Sequence, residues 1–193
     1  MNYLVRKKCV ITGTELERLS ECDYPLHCGC TDEELSKDVI AKECFAISKA
    51  GILQLEKLIP LEILYEKGHE AGAVGTLWQE HHLEFAKFIL EFKPQNILEI
   101  GGGHSKLGEN ILKKAKTNYT IIEPNPTNLN GEINYIKGFF SKELCKDYKF
   151  DCVVHSHTFE HIYNPSEFLD EIAQTLTGGG DYGFFAPKYA KMA

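Results

Sequence analysis

The sequence lacks the long hydrophobic runs and the excess of positive charge that mark two common classes of protein. No apolar run reaches the roughly 20 residues that a helix needs to span a bilayer. Residues 1–10 hold too short an apolar stretch for a signal peptide, so we expect a cytoplasmic protein. Lys and Arg number 21 against 28 Asp and Glu, and the net charge of -7 argues against a general affinity for nucleic acid. A small-molecule substrate is compatible with this composition.

The chain also lacks an even number of cysteines. The chain has seven, and an odd count in an intracellular protein argues against a disulfide framework. Two lie far downstream, whereas five fall in the N-terminal part: Cys9, Cys22, Cys28, Cys30 and Cys44. The N-terminal cluster is therefore interpreted either as a metal site or as incidental thiols.

The composition changes along the chain and predicts three parts. Residues 1–56 are rich in cysteine and in turn signals such as Thr12-Gly13 and Tyr24-Pro25, and they have few long periodic runs. Such a small module is expected to need a staple in order to fold. Residues 57–94 are predicted to form a linker and a helix that is ended by Pro94. Residues 95–193 are predicted to form a cofactor-binding domain.

Strand and helix patterns alternate from residue 95 onward. A helix with Leu107 and Ile111 on one face follows the first strand, and a helix over 166–176 is ended by the glycines 178–180. Short apolar runs predict the strands, which cover 96–100, 119–122, 134–136 and 151–154. Alternation at this spacing predicts an α/β fold with a doubly wound, Rossmann-like parallel sheet.

A glycine-rich turn, Gly101-Gly102-Gly103, follows the first of these strands. Glycines let a ligand approach the backbone because no Cβ stands in the way. A dinucleotide fingerprint needs a third glycine at the sixth position, where this sequence has Lys106. A Walker loop is excluded because no Gly-Lys-Ser/Thr follows. What remains is an acid, Glu99, two places before a Gly-x-Gly.

This pattern resembles the first motif of class I S-adenosylmethionine-dependent methyltransferases. In that family a second acid ends the next strand and holds the cofactor ribose, and Glu123 occupies that position here. The resemblance implies S-adenosylmethionine as cofactor. It also implies a cofactor-binding set, which consists of Glu99, Gly101, Gly102, Gly103, Glu123, Pro124 and His155. A nicotinamide-dependent sugar enzyme is disfavoured because of Lys106 and because no Tyr-x-x-x-Lys pair lies near the fourth strand.

Further stretches resemble the sugar methyltransferases that carry an N-terminal zinc-binding domain. One follows the fourth strand, His157-Thr158-Phe159-Glu160-His161-Ile162, and others lie at Cys44, at 52–55 and at 60–65. This resemblance implies a sugar or nucleotide-sugar acceptor in surface glycan biosynthesis. It also implies His157 as an acceptor-side general base, with His161 as a second catalytic candidate. Tyr65, His69 and the pair His81-His82 lie where the family's linker can contribute to the active site, and the interpretation that we favour is that they are solvated helix residues.

The same family has two Cys-x-x-Cys pairs that hold a structural Zn²⁺. Here each pair has lost its second cysteine. Thr12 stands at that position in the pair that begins with Cys9, and Ile47 stands there in the pair that begins with Cys44. The predicted metal site therefore combines Cys9 and Cys44 with Cys28 and Cys30. Incidental thiols remain the alternative.

The chain end departs from the family pattern. The family leads us to expect an apolar fifth strand after Gly180 and two more strands beyond it, whereas the chain stops at Ala193. The codons permitted for residues 181–193 include an apolar run in the next reading frame, so our hypothesis is a frameshifted product of a phase-variable gene, and an ordinary glycine turn with a chance match is the alternative. The alternative function is then a truncated, catalytically inactive cofactor-binding product.

Overall fold

The computed structural model describes residues 2–26, 39–65 and 75–185, with the backbone alone described at 179–182 and 184–185. The chain divides into two compact units, Met1–His69 and Glu70–Ala193. In the ranges just given, no helix has both the length and the apolar character needed to cross a membrane.

The first unit is built from antiparallel strands. A three-stranded sheet has the order β2 (Leu16–Pro25), β3 (Ile40–Ser48), β4 (Leu53–Leu55). A smaller ladder pairs β1 (Leu4–Val5) with β5 (Lys57–Leu58), and a short helix, α1 (Leu61–Leu64), follows. Strand β3 alternates in burial, with Cys44, Ala46 and Ser48 pointing inward, as the two-residue period of a strand requires.

This unit contains two long strands although its sequence shows few long periodic runs. Strand β2 has ten residues and β3 has nine. The predicted turn at Tyr24-Pro25 lies inside β2 instead, paired with Ala41 and Ile40. Since β2 is exposed along nearly its whole length, its sequence carries no inward-facing apolar alternation that could reveal a strand.

The second unit holds a parallel sheet with helices on both faces. Its five strands lie in the order β10-β9-β6-β7-β8, and every neighbouring pair is parallel. The strands are β6 (Asn96–Ile100), β7 (Asn118–Glu123), β8 (Asn134–Lys137), β9 (Phe150–Ser156) and β10 (Leu176–Phe185). The helices are α2 (Thr76–Glu91), α3 (Lys106–Leu112), α4 (Lys142–Cys145) and α5 (Pro165–Thr175). The predicted α/β class with a Rossmann-like parallel sheet is confirmed.

Two apolar clusters cover the two faces of this sheet. Ile97 of β6 packs with Phe85 and Ile89 of α2 and with residues of α3. The next residue, Leu98, packs on the other face with Phe168 and Ile172 of α5. Because successive side chains of a strand alternate between faces, the continuous apolar runs of β6 and β7 fill both clusters.

The glycines 178–180 do not form the predicted turn that ends a helix. Helix α5 ends at Thr175, and the glycines lie within β10, the edge strand of the sheet. The pairing of β10 with β9 jumps from Leu176↔Phe150 to Asp181↔Cys152, so the glycine segment absorbs a register irregularity. The strand expected only after Gly180 therefore begins earlier, at Leu176.

Candidate active site

The glycine turn joins the end of β6 to helix α3. Gly101 has φ +80°, and a Cβ built there would lie 2.7 Å from Oγ1 of Thr158. A Cβ on Gly102 would lie 2.4 Å from Cδ of Glu99. Both positions are closed to larger residues, because real Cβ atoms do not approach other atoms this closely. The chain at this turn is therefore bare backbone, which a ligand can approach closely.

Glu123 lies at the tip of the neighbouring strand and faces this turn. Its Cδ lies 3.8 Å from the position that a Gly103 Cβ would take. Burial raises the pKa of Glu123, and a hydrogen bond from the Asn125 N–H together with the charge of His104 opposes that rise. Since β6 and β7 are parallel neighbours, their carboxyl ends meet, and the turn and the acid form one edge.

A loop that begins at Pro124 closes back on the glycine turn. The backbone N–H of Thr127 donates to the carbonyl oxygen of Gly103 at 2.8 Å, and its hydroxyl donates to the same oxygen at 3.0 Å. The Thr127 hydroxyl also lies 3.1 Å from Nδ1 of His104. Sequence reasoning missed Thr127, because nothing in its local pattern signals a contact with a turn 24 residues earlier.

Glu99 lies beneath the turn and is only 5% exposed. Burial raises its pKa to about 7, while the hydrogen bond from Tyr119 lowers the pKa and the charge of Glu123 raises it further. The side chain packs directly under Gly102. This position gives Glu99 a role in shaping the turn, and its direct contact with a cofactor stays a prediction.

His155 lies in the core, and its contact with a cofactor stays a prediction. It is fully buried, with its ring stacked on Phe159 at a centroid distance of 6.0 Å and against Phe168 at 5.8 Å. Burial lowers its pKa to about 4, so its ring is neutral at physiological pH. The structure therefore places His155 in a packing position rather than at an open surface.

His157 follows strand β9 in a left-handed backbone conformation, with φ +53°. Its ring centroid lies 4.7 Å from that of Trp78 and 5.4 Å from that of His81, both in edge-to-face geometry. Its Nδ1 lies 3.7 Å from Oε1 of Glu160. A non-glycine residue with positive φ at the end of a central strand is the kind of strained position that functional sites hold.

The interpretation of His81 and His82 as solvated is wrong. Both side chains are half-buried, and Nε2 of His81 lies 2.7 Å from Oγ of Ser156. Burial lowers the pKa of His81 to about 4, and the nearby His82 and His157 lower it further. No local sequence pattern signals this contact, which joins residues 75 positions apart.

The structure describes two of the remaining candidates from the sequence, His161 and Tyr65. His161 ends a 3-10 turn over Phe159–His161 and is exposed, and its backbone N–H donates to the carbonyl oxygen of Thr158. Tyr65 caps α1 in the first unit, and His69 lies outside the described residues.

Thr158 connects the end of β6 with the end of β9. Its hydroxyl lies 3.2 Å from the carbonyl oxygens of both Ile100 and Ser156 and close against Gly101. The sequence pattern assigned no role to this residue.

The predicted metal ligands do not assemble in the part of the chain that the structure describes. Sγ of Cys9 accepts hydrogen bonds from the Gln54 amide at 2.9 Å and from the Thr12 N–H at 3.4 Å. The Cys44 thiol donates to Glu21 at 2.8 Å. No group of three or more His, Cys, Asp or Glu side chains within these ranges is placed to hold a metal. Cys28 and Cys30 lie outside the described residues.

Comparison with known proteins gives a family match over most of the second unit. The family model described as "Methyltransferase domain" matches residues 73–184. A comparison with curated proteins gave no match.

Several solved structures are similar to this chain over about half its length. The plantazolicin methyltransferase BpumL, in complex with a monoazolic desmethylPZN analog and SAH, is 23% identical, with a TM-score of 0.40, covering 53% of this chain and 43% of that one. An S-adenosyl-L-methionine-dependent methyltransferase of Methanococcus maripaludis is 17% identical, with a TM-score of 0.47, covering 56% and 57%. An O-methyltransferase family protein of Burkholderia thailandensis is 12% identical, with a TM-score of 0.44, covering 55% and 39%. The chain thus spans roughly half of those proteins or less.

Proposed function

The chain belongs to the methyltransferase-domain family, and from this premise we propose that it transfers a methyl group from S-adenosylmethionine to a sugar, which we take to be nucleotide-activated. The observation that carries the proposal is the placement of Glu123 opposite Gly103, with the bare glycine turn and the carboxylate on one edge of the sheet.

The residues of this edge fit a cofactor that has a ribose and no phosphate. A carboxylate at the tip of β7 can accept hydrogen bonds from both ribose hydroxyls. Gly101, Gly102 and Gly103 leave the turn open to close approach, and the loop from Pro124 to Thr127 braces it from one side. When bound, the cofactor supplies an electrophilic methyl group on a sulfonium.

His157 is the proposed proton acceptor on the substrate side. Glu160 lies 3.7 Å from Nδ1 of His157 and favours the tautomer with hydrogen on that nitrogen. Nε2 is then the basic atom, and it takes the proton that the acceptor group loses as its bond to the methyl carbon forms and the bond from that carbon to sulfur breaks. Trp78 and His81 bound the ring on its other side.

A sugar acceptor is supported by the resemblance of the segment 157–162, and of the stretches around Cys44 and 60–65, to sugar methyltransferases with a zinc-binding domain. Among the described residues, the thiols do not form a zinc centre.

The cofactor site is tested by calorimetric titration of the purified chain with S-adenosylhomocysteine. We expect micromolar affinity, about -8 kcal/mol, and a loss of about 100-fold in Glu123→Ala, since a hydrogen-bonded charged partner contributes about 1.5–3 kcal/mol. Glu132→Ala removes an exposed carboxylate of the same unit and serves as the matched control. Equal affinity in E123A and E132A would contradict the proposal.

The acceptor is tested separately by incubating the chain with methyl-labelled S-adenosylmethionine and a panel of nucleotide sugars and peptides. Label in a nucleotide sugar is expected, and label confined to peptides would reject the sugar. His157→Ala is expected to bind S-adenosylhomocysteine normally and to lose turnover. An H157A variant with full turnover would remove His157 as the base.

A further inference from the structure

Three rings and one hydroxyl meet where helix α2 passes the end of strand β9. Trp78 and His81, three residues apart, lie on the same side of α2. The ring of His157 contacts both of them edge-to-face, at 4.7 and 5.4 Å between centroids. One residue earlier, Ser156 places its hydroxyl oxygen 2.7 Å from Nε2 of His81. The helix is thus tied to the strand end by one hydrogen bond and two ring contacts.

The backbone of His157 needs support in order to keep its left-handed conformation. With φ +53°, it adopts a region that side chains larger than glycine occupy rarely. Such conformations persist only where the surroundings hold them. On one side, Thr158 bonds the carbonyl oxygens of Ile100 and Ser156. On the other side, the support comes from the rings of Trp78 and His81.

His81 is suited to hold a position and is unsuited to take a proton. Burial, together with His82 and His157, lowers its pKa to about 4, so the ring is neutral near pH 7. A neutral imidazole has one N–H and one lone pair, and either can pair with the Ser156 hydroxyl. It does so without placing a positive charge beside His157.

We infer that His81 is a positioning residue whose hydrogen bond to Ser156 holds helix α2 against the end of β9, and thereby keeps Trp78 and His157 in ring contact. This inference rests on the proposed function in so far as the orientation of His157 serves the acceptor. The ring contact itself can be measured without an acceptor.

Trp78 is the only tryptophan of the chain and therefore reports on this contact. An imidazole in contact with an indole quenches its fluorescence. Among the described residues, the imidazole rings in contact with Trp78 are those of His81, His82 and His157, and Glu160 lies next to His157. Trp78 emission is measured at one pH of about 7, where the lowered pKa of His81 leaves its ring neutral. Comparison with His157→Gln isolates the quench that His157 causes.

Ser156→Ala removes the hydroxyl and is expected to reduce the His157-dependent quench by about twofold or more, since the contact then loses its polar anchor. Affinity for S-adenosylhomocysteine is expected to stay within about twofold, because the cofactor edge is untouched. Ser156→Thr, which keeps the hydroxyl, restores the quench. His81→Leu removes the ring nitrogen that pairs with Ser156, whereas His81→Gln keeps a polar group there, so these two variants test the same hydrogen bond from the His81 side. His82→Gln is the matched control on the helix.

The inference is overturned if S156A and H81L both keep the wild-type quench. It is also overturned if the wild type shows no quench that depends on His157, because ring contact is its premise. Loss of S-adenosylhomocysteine binding in S156A with an unchanged quench would likewise reject a positioning role and indicate a role in the cofactor edge. Failure of the wild type to bind S-adenosylhomocysteine would defeat the proposed function and leave the fluorescence result valid. Circular dichroism confirms that each variant is folded.

Discussion

The hydroxyl of Tyr119 donates a 2.9 Å hydrogen bond to the carboxylate of Glu99, from the strand next to the one that carries Glu99. Both side chains are buried, and the Glu99 carboxylate lies directly under Gly102. Burial raises the pKa of Glu99 to about 7, so the group that shapes the glycine turn titrates near neutral pH.

Glu99 is expected to make the stability of the second unit fall as pH rises. Its folded-state pKa of about 7 lies above the ordinary 4.5, so between these values the folded state holds a proton that the unfolded state has released. The free energy of unfolding therefore decreases through this window, by on the order of 3 kcal/mol in total at about 1.4 kcal/mol per pKa unit. Glu99→Gln removes this contribution.

Urea unfolding of wild type and E99Q at several pH values between about 4.5 and 8 measures the effect. His81 and His155 have lowered pKa values and add a slope of the opposite sign, which the difference between the two proteins cancels. Glu132→Gln, at an exposed carboxylate, is the control. If the free energy of unfolding had the same pH dependence in wild type and E99Q, the pKa of Glu99 would not be raised by its burial.

Gly102→Ala is expected to destabilise the unit by about 2 kcal/mol, because overpacking in closed sites costs about 1–3 kcal/mol. The new Cβ would meet Cδ of Glu99 at 2.4 Å, and the turn must move to make room. We expect the affinity for S-adenosylhomocysteine to fall with it. Gly131→Ala is the matched control, since a Cβ there meets nothing within 4 Å. Urea unfolding measures the stability of the two variants, and calorimetry measures their affinity for S-adenosylhomocysteine. Equal stabilities would show that the turn accommodates the new Cβ without cost.

Tyr135→Phe is expected to cost about 1–3 kcal/mol, the usual penalty for leaving buried polar groups without a partner. The Tyr135 hydroxyl lies 2.8 Å from Oγ of Ser105 and accepts a hydrogen bond from the Asn130 N–H at 2.9 Å. Ser105 is buried and has φ +61° at the start of α3. Tyr148→Phe, at a tyrosine that is 44% exposed, should be nearly neutral in the same unfolding experiment. A neutral Y135F would mean that water replaces the hydroxyl.

Cys9 and Cys145 are expected to titrate far apart. Burial would raise the pKa of Cys9, but hydrogen bonds from Thr12, the Ile11 backbone and Gln54 outweigh it and lower the pKa to about 6. Burial, with the charge of Glu171, raises the pKa of Cys145 to about 11. The pH dependence of alkylation at each cysteine, followed by mass spectrometry, should show Cys9 as a thiolate at pH 7 and Cys145 as a thiol.

Gln54→Ala should shift the Cys9 alkylation profile to higher pH, since it removes a donor to the sulphur. Coincident profiles for the two cysteines would contradict this assignment. Metal analysis of the same preparation tests the zinc prediction from the sequence, and less than about 0.2 zinc per chain would reject it.

The sequence predicted the part of the fold that local pattern determines. Buried parallel strands such as β6 and β7 are continuous apolar runs in the sequence, and Glu123 is the last residue of β7. Both the sheet and the acid at the end of its strand could therefore be predicted from the sequence. The glycines 178–180 were misassigned because a strand that is held by pairing along one edge can tolerate residues with low strand propensity.

The acceptor side was only half predicted, because its contacts are long-range. His157 follows a predicted strand, and its place could be inferred from that strand. The bond from His81 to Ser156 depends on how α2 packs on the sheet, which no local period encodes. His155 was assigned to the cofactor on position alone, and the structure buries it in the core because β9 is buried continuously from Cys152 to His155.

Thr158 gives this edge of the sheet a shared joint, and that has a consequence for engineering. Its hydroxyl bonds the last residues of both β6 and β9 and packs against Gly101, so one side chain contacts both the glycine turn and the segment that carries His157. A library that randomises 157–161 to change acceptor preference would also disturb the cofactor turn. Variants selected from it would confuse a change in substrate choice with a defect in cofactor affinity, unless Thr158 is kept constant.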